Sequence, residues 1–555
     1  MSVTITGVTG EPRSNVERFL SIRQAQSNDD VPTPFTIRRL HEMAPEEIRQ
    51  ALMPFGYYSP EIDSELAQVD REWRATYSID VGAATRISEL DIRLPNIVGE
   101  LPDVRQRLQD SVIQQGAVLN HAAYSRLKLG IQQSAISLGY LDASWTESQI
   151  RVDPARREAL ITLHLDVGAR FYFGRIDLQQ DALDQSFAER FILIKEGEPF
   201  STDQLVALQF ALSDSGYFQN VTIDASREDA IDHRIPIVVQ ADTRLSQRYS
   251  ARAGVGTDTG PRFRLGTEFR RLSGRGTTFR SDLQVSTIKT TATAQYSIPI
   301  KNVAIDRQTF SGRFDRAEIG DTDSDLYSLG ARRYDRWKGL GRQLYLEFEN
   351  EQFALGDAED ARSELLIVGA SLAWKKVDDA LFTRRGLSAR LDVHGAHKSV
   401  LSDTSFVQAS LATRFILPLG DRTRLLLRGD IGMTEVDDLT RLPPSQRFFS
   451  GGDRTVRGYG FESLSPLDAE GASVGGRYLL GASVEADYFF NDKYGIAAFF
   501  DHGGAVNSLG DALRSGVGLG FRYRTPIGVL RIDGAHALND LGDAFRLHVS
   551  LGPDL

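Results

Sequence analysis

From about residue 245 to the last residue, polar and apolar side chains take turns, and this alternation restricts the fold more than any other feature of the sequence. In LYLEFEN (344–350), Leu344, Leu346 and Phe348 share one face while Tyr345, Glu347 and Glu349 share the other. In LSARLDVHG (387–395), Leu387, Ala389, Leu391 and Val393 oppose Ser388, Arg390, Asp392 and His394, and in FRLHVSL (545–551) Phe545, Leu547, Val549 and Leu551 oppose Arg546, His548 and Ser550. A period of two marks strands with one apolar face. A soluble sandwich packs such faces against each other, whereas a membrane barrel turns them to lipid and lines a wet interior with the charges. No run of 18 apolar residues occurs, which excludes ordinary transmembrane helices and leaves a barrel open. Residues 245–555 hold about 16 strands of roughly 10 residues each, with turns and loops. Both ends of such a barrel must face the side that carries the rest of the chain, so the count is even; 16 is expected, with 14 as the alternative.

The first 244 residues read differently. FGYYSPEI (55–62), LGYLDASW (138–145) and SGYFQNVT (215–222) repeat a Gly-Tyr pair before a strand-like run, and SIDVGAATRISELDIRL (78–94) echoes HLDVGARFYFGRIDLQQ (164–180). Spacings of this size mark three units of roughly 80 residues. In the third, a strand FYFGRIDLQ precedes Ser201-Thr202-Asp203-Gln204, a capping box for a helix whose Leu205, Leu208 and Leu212 share one face. Gly216 falls where the end of that helix requires positive φ, and two strands, QNVTIDAS and RIPIVVQA, follow. The second unit repeats this with Tyr124, Leu127 and Ile131 before Gly139; in the first, Ser14 to Glu17 reads as a capping box and Pro45 as a residue near a helix start. The Gly-Tyr pair itself reads as a helix terminator followed by a core aromatic.

These β-α-α-β-β units resemble polypeptide-transport-associated (POTRA) domains, periplasmic modules that stand in series before outer-membrane barrels. The expected parse is POTRA-like units at 1–83, 84–167 and 168–244, then a 16-stranded antiparallel transmembrane β-barrel at 245–555. The first ten residues carry neither a basic n-region nor an apolar h-region, so a secretory signal is expected to be lacking or already removed.

Between two candidate strands lies RFFSGGDRTVRGYGFE (447–462), rich in glycine and charge. A phosphate cradle fits it poorly, because GxxxxGK[ST] is absent and no helix follows. A hydrolase would need a base and a nucleophile to converge, and His502 beside Asp501 does not supply them, since neighbouring strand residues point to opposite faces. A structured extracellular loop remains as the plain reading. The stretch also resembles the signature loop of the Omp85-type outer-membrane assembly superfamily, with Val456, Arg457, Gly458 and Tyr459 matching [VI]-R-G-[FY]. Phe499, Asp501 and Gly503 match a second signature, F-x-D-x-G, and residues 516–535 resemble the superfamily's penultimate strands. The resemblance implies that the loop folds back into the barrel and that Arg457 pairs with Asp501. Arg offers a rigid fork of donors that a carboxylate accepts bidentately, so the loop reads as a latch.

Three modules, the loop sequence and the ending LHVSLGPDL are nearest to the translocation and assembly module branch of this superfamily; other branches usually carry five modules or two. That likeness implies a protein that helps insert or export envelope proteins, autotransporters in particular, and that serves phospholipid movement to the outer membrane. Its implied partners are inner-membrane-anchored TamB, client outer-membrane proteins and outer-membrane lipid. A two-partner secretion transporter and a passive channel are the alternatives. The first and last barrel strands, near Gln247 to Gly256 and Ala544 to Leu551, are expected to form a weak lateral seam lined by Ala251, Ala253, Val255, Leu547, Val549 and Leu551. The third unit is expected to offer a sheet edge to an incoming strand, and the first to meet TamB. No catalytic, cofactor or metal site is expected. A net charge of −11 gives no basic footprint for nucleic acid, and the absence of cysteine is compatible with an oxidising envelope.

Overall fold

The computed structural model describes residues 1–26, 33–69, 72–256, 260–319, 322–355, 360–469, 471–526, 528–538 and 545–552, with the side chains of residues 255 and 256 left out. The chain forms two compact units, one of residues 1–177, 193–209 and 222–239, the other of 178–192, 210–221 and 240–555.

Three small sheets carry the first 244 residues. Each has three strands and places its last strand in the middle: Glu72–Asp80 in the first, Glu158–Asp166 in the second, Arg234–Thr243 in the third. In the first two, that central strand runs parallel to the first strand and antiparallel to the second. Helices cover them, principally Gly10–Phe19 and Pro34–Leu52, then Pro102–Asp110 and His121–Ser137, then Thr202–Asp214. The β-α-α-β-β frame gains short helical segments, at Ser21–Gln26, Asn96–Gly99 and Gln185–Ala188. Ile48, Leu52 and Tyr77 are fully buried in the first core, as are Leu119, Ile131 and Ile161 in the second. Gly56, Gly139 and Gly216 all take φ between 81° and 93°, so the repeated glycine ends a helix each time.

Two local expectations need correction. Ser14 lies inside the helix Gly10–Phe19, where its hydroxyl donates to the Gly10 carbonyl and Glu17 pairs with Arg13, so that stretch is not a capping box. The helix begins at Thr9-Gly10 because Gly10, at φ 66°, makes the turn out of the first strand. Pro45 sits within Pro34–Leu52, not near its start. Ser201 does act as a cap, its hydroxyl accepting the Gln204 N–H at 3.4 Å.

Residues 247–552 form one 16-stranded sheet in which each strand pairs antiparallel with its neighbours in sequence, from Gln247–Gly256 to Phe545–Gly552. Alternation decides the faces. Leu344 and Leu346 are 42% and 45% exposed, whereas Glu347 and Glu349 are 7% and 8%. Leu391, Val393, Val484, Ile496, Leu519 and Leu547 likewise point outwards. A face this apolar suits hydrocarbon, and the charged face looks into the barrel. Among the described residues no helix is long and apolar enough to cross a membrane.

Candidate functional site

The site is built where the long loop between the strands Thr423–Val436 and Tyr478–Phe489 meets the inner wall. Asp501 is brought inward by the phase of the strand Tyr494–Val506 and is fully buried; His502, one step on, faces out and reaches the Ser515 hydroxyl at 2.8 Å. Arg457 grips Asp501 with both edges of its fork, Nε to Oδ2 at 2.7 Å and Nη2 to Oδ1 at 3.0 Å. Its backbone N–H also donates to Oδ2, at 3.1 Å. Phe499 lies beneath the guanidinium, its ring centroid 3.3 Å from Cζ. Gly458 has φ 97°, and a Cβ there would stand 3.0 Å from the backbone of His536 and Ala537, so only glycine lets the loop lie this close to the wall. Its N–H donates to Nε2 of His548 on the final strand, at 3.1 Å. Tyr459 buries its ring and donates its hydroxyl to the Ser515 carbonyl. Val456 is buried beside it. At Gly503 a Cβ would stand 2.4 Å from the Leu480 carbonyl oxygen, which explains the glycine of the second motif.

More carboxylates converge than the two motifs name. Arg457 Nη1 donates to Glu485 at 2.7 Å and to Asp533 at 2.9 Å. Arg522, fully buried, donates to Asp533 at 2.5 Å, to Glu485 at 2.6 Å and to Asp487 at 3.2 Å. Arg424 then takes Asp487 at 2.7 Å, and Arg428 donates to the Thr455 carbonyl with Asp501 at 3.7 Å. Four arginines thus meet five carboxylates, since Asp430 also lies 3.8 Å from Arg428. A group of this kind is tolerable only when every charge has partners, as here. Sequence reasoning missed Glu485, Asp487, Asp533, Arg522, Arg424 and Arg428. The signal was Ser483-x-Glu485-x-Asp487 on the inward phase of one strand, level with the Gly516, Gly518 and Gly520 stripe two strands away. At Gly516 a Cβ would stand 1.9 Å from the Arg457 carbonyl oxygen, so the loop rests on this glycine, while Gly518 makes room for Phe499 and Gly520 for Asp533 and Arg522.

The other end of the loop crosses to a distant part of the wall. Gln446 donates to Glu349 at 2.8 Å, meets His394 at 3.1 Å and accepts at its carbonyl from Gln408 at 2.8 Å. Arg447 braces the loop internally, donating to the carbonyls of Leu442, Val474 and Thr440.

At the proposed seam, Ala251 and Ala253 are exposed, Leu547 and Leu551 are 53% and 52% exposed, and Val549 is half-buried. The side chain of Val255, together with Ala544 and Pro553, lies outside the described residues. The first and last strands approach each other, and among the described residues no register joins them.

Residues 245–553 match the Omp85 superfamily domain. The chain belongs to the Omp85 superfamily. Residues 2–81 match POTRA domain TamA domain 1, and residues 171–242 match the POTRA-type surface antigen variable number repeat. The outer membrane protein assembly factor BamA of Nitratidesulfovibrio vulgaris is 36% identical over 98 residues, 16% of this chain and 12% of that protein. BamA of Neisseria meningitidis serogroup B is 22% identical over 386 residues, 63% of this chain and 48% of that protein. The chain therefore spans about half the length of these relatives or less. The crystal structure of Haemophilus ducreyi BamA lacking POTRA domains 1–3 superposes with a TM-score of 0.63 at 16% identity, covering 84% of this chain and 98% of that one, and shares the fold. This Omp85 chain is an outer-membrane protein with periplasmic POTRA modules.

Proposed function

We propose that the chain is an assembly factor of the TamA type, which helps insert or translocate envelope proteins such as autotransporters and works with TamB, with phospholipid transport as a further role. In this reading residues 1–83, 84–167 and 168–244 are its three POTRA modules and 245–555 its barrel. The first module's match to a TamA-type POTRA domain supports the branch. The observation that carries the function is the final strand, which is held by the loop through His548 and Gly458 while no described register ties it to the first strand. A sheet edge left without its ladder is a template for another strand, so a client segment can pair at this seam. The loop's anchorage at both Glu349 and Asp501, on well-separated strands, disfavours a passive channel. Three modules disfavour a two-partner secretion transporter.

Locking the seam tests this reading. The chain contains no cysteine, so Ala253→Cys with Leu547→Cys introduces the only pair. The oxidised protein is expected to fold and to lose assembly of an autotransporter client, with recovery on reduction. Full assembly with the bond verified as closed rules the seam out as the route.

A further inference from the structure

The ion pairs extend farther than a latch needs. Asp501, Glu485 and Asp533 already satisfy Arg457, yet the chain of charges continues through Arg522 to Asp487 and Arg424. Arg424 ends it by donating Nη1 to the carbonyl of Thr383 at 2.7 Å, and by lying 4.1 Å over the ring of Phe382. Phe382 and Thr383 belong to the turn between the strands Ala361–Val377 and Gly386–Ala396. Eight barrel strands precede that turn and eleven precede the loop, so in an antiparallel barrel the two lie at opposite ends. The turn is at the end where the chain joins the barrel from its modules, the periplasmic end, and the loop arises at the outer end.

The turn is tied together by its own hydrogen bonds. Asp379 Oδ1 accepts the N–H groups of Leu381 and Phe382 at 2.8 and 2.7 Å, and the Thr383 hydroxyl donates to the Asp379 carbonyl. Asp378 accepts from Arg384 and Arg385, and Arg384 reaches the carbonyls of Gly420 and Asp421 in the next turn on that side. Phe382 packs edge-on against Phe489, with ring centroids 5.2 Å apart.

We propose that the outer loop and the periplasmic turn Asp378–Arg385 are two ends of one coupled element, with Arg522, Asp487 and Arg424 as the connection, so that displacing the turn from inside loosens Arg457 and releasing Arg457 loosens the turn. Glu485, Asp533 and Asp487 are each shared by two arginines. Removing an arginine at either end leaves a buried carboxylate short of a partner, and the next arginine must shift to compensate. A polypeptide segment that engages the turn from the periplasm would thus act on the loop across the barrel wall. This goes beyond the assembly reading and holds whatever the barrel transports.

Single-cysteine reporters in the full chain, in native outer-membrane vesicles, test it. Ser450 is 2% exposed in the loop and Thr383 is fully buried in the turn. With Ser450→Cys as the loop reporter, Arg424→Met is expected to speed maleimide labelling from outside by about fivefold or more, the lower end of ordinary allosteric coupling. Arg342→Met, which breaks the separate pair with Asp335, is expected to leave it unchanged. With Thr383→Cys as the turn reporter, Arg457→Ala is expected to speed labelling by a similar factor, because coupling is reciprocal. Should Arg424→Met fail to fold, Phe382→Ala perturbs the same end with no loss of charge. Unchanged labelling of the loop reporter in a folded turn variant overturns the proposal, as does an unchanged turn reporter with the latch removed, or an equal response to Arg342→Met.

Discussion

Among the described residues, the modules bury apolar side chains and a few hydroxyls, whereas the barrel buries charged side chains beside its apolar ones. In the first module Ile48, Leu52 and Tyr77 close an apolar core in which a lone charge would be costly. In the barrel the fully buried set includes Asp501, Asp487 and Arg522, while Leu344, Leu519 and Leu547 face outwards. The difference follows from the solvent outside. Where water surrounds the unit, apolar burial holds it together; where hydrocarbon does, the apolar face is already satisfied and the interior is held by paired charges. Apolar packing tolerates shape change by small steps, whereas an ion-pair network is either complete or short of a partner.

The sharpest way to break this contrast is to delete one charge. Arg457→Ala takes a donor from each of Asp501, Glu485 and Asp533, and a loss of about 3–5 kcal/mol is expected when one member of a buried pair is removed. It should appear as a lower heat-denaturation midpoint of the barrel, with the modules' own transition unchanged. Next in size, Ile48→Ala should destabilise its module by about 2–5 kcal/mol through the cavity it leaves, visible as faster proteolysis of residues 1–83 with the barrel still heat-resistant. If the proposed association with TamB is observed, its loss on deleting those same residues would place TamB on the first module.

Gly516→Ala is expected to be smaller, about 1–3 kcal/mol as for an overpacked site, and to act by lifting the loop from the wall; faster maleimide labelling of the Ser450→Cys reporter checks it. The smallest expected effect is on pH. Tyr58 and the His121 ring meet at 2.8 Å between the first two modules, and burial lowers the His121 pKa. A depressed His pKa means stability that is fully present above the ordinary value of 6.5 and is lost as pH falls through the folded value. Modules 1 and 2 together should therefore unfold at lower denaturant at about pH 5 than at about pH 7.5, on either side of the ordinary histidine range. His121→Gln should reduce that difference, leaving the part due to His41, whose pKa burial also lowers, while the barrel's pH response stays as it was.

Much of this architecture was legible because it rests on short periods. Alternation in FRLHVSL or LYLEFEN is local, and the strand number follows from length. Ser201 to Gln204 announces a helix start within four residues. Ser14 to Glu17 has the same kind of letters and no such role, because the turn at Gly10 had already started the helix. Pro45 misled for a related reason: a helix of 19 residues held by packing of Ile37, Ile48 and Leu52 tolerates one missing backbone bond. At the site, Arg457 and Asp501 were legible as two separate motifs, and the structure puts them 2.7 Å apart. Glu485, Asp487, Arg522 and Asp533 were not, since an inward charge on a barrel strand reads the same whether it lines water or pairs with an arginine two strands away. Only the fold tells those cases apart.

Mutual charge pairing holds the loop more firmly than its apolar contacts at Val456 and Tyr459 do. A double-mutant cycle with Arg457→Ala and Asp501→Ala, read by the heat-denaturation midpoint of the folded barrel, tests it most directly. The expected result is strong non-additivity: the double variant about as unstable as the worse single one, with a coupling of roughly 2 kcal/mol or more, within the range found for residues in one network. Two single effects that simply add would show that the Arg457–Asp501 pair does not hold the loop.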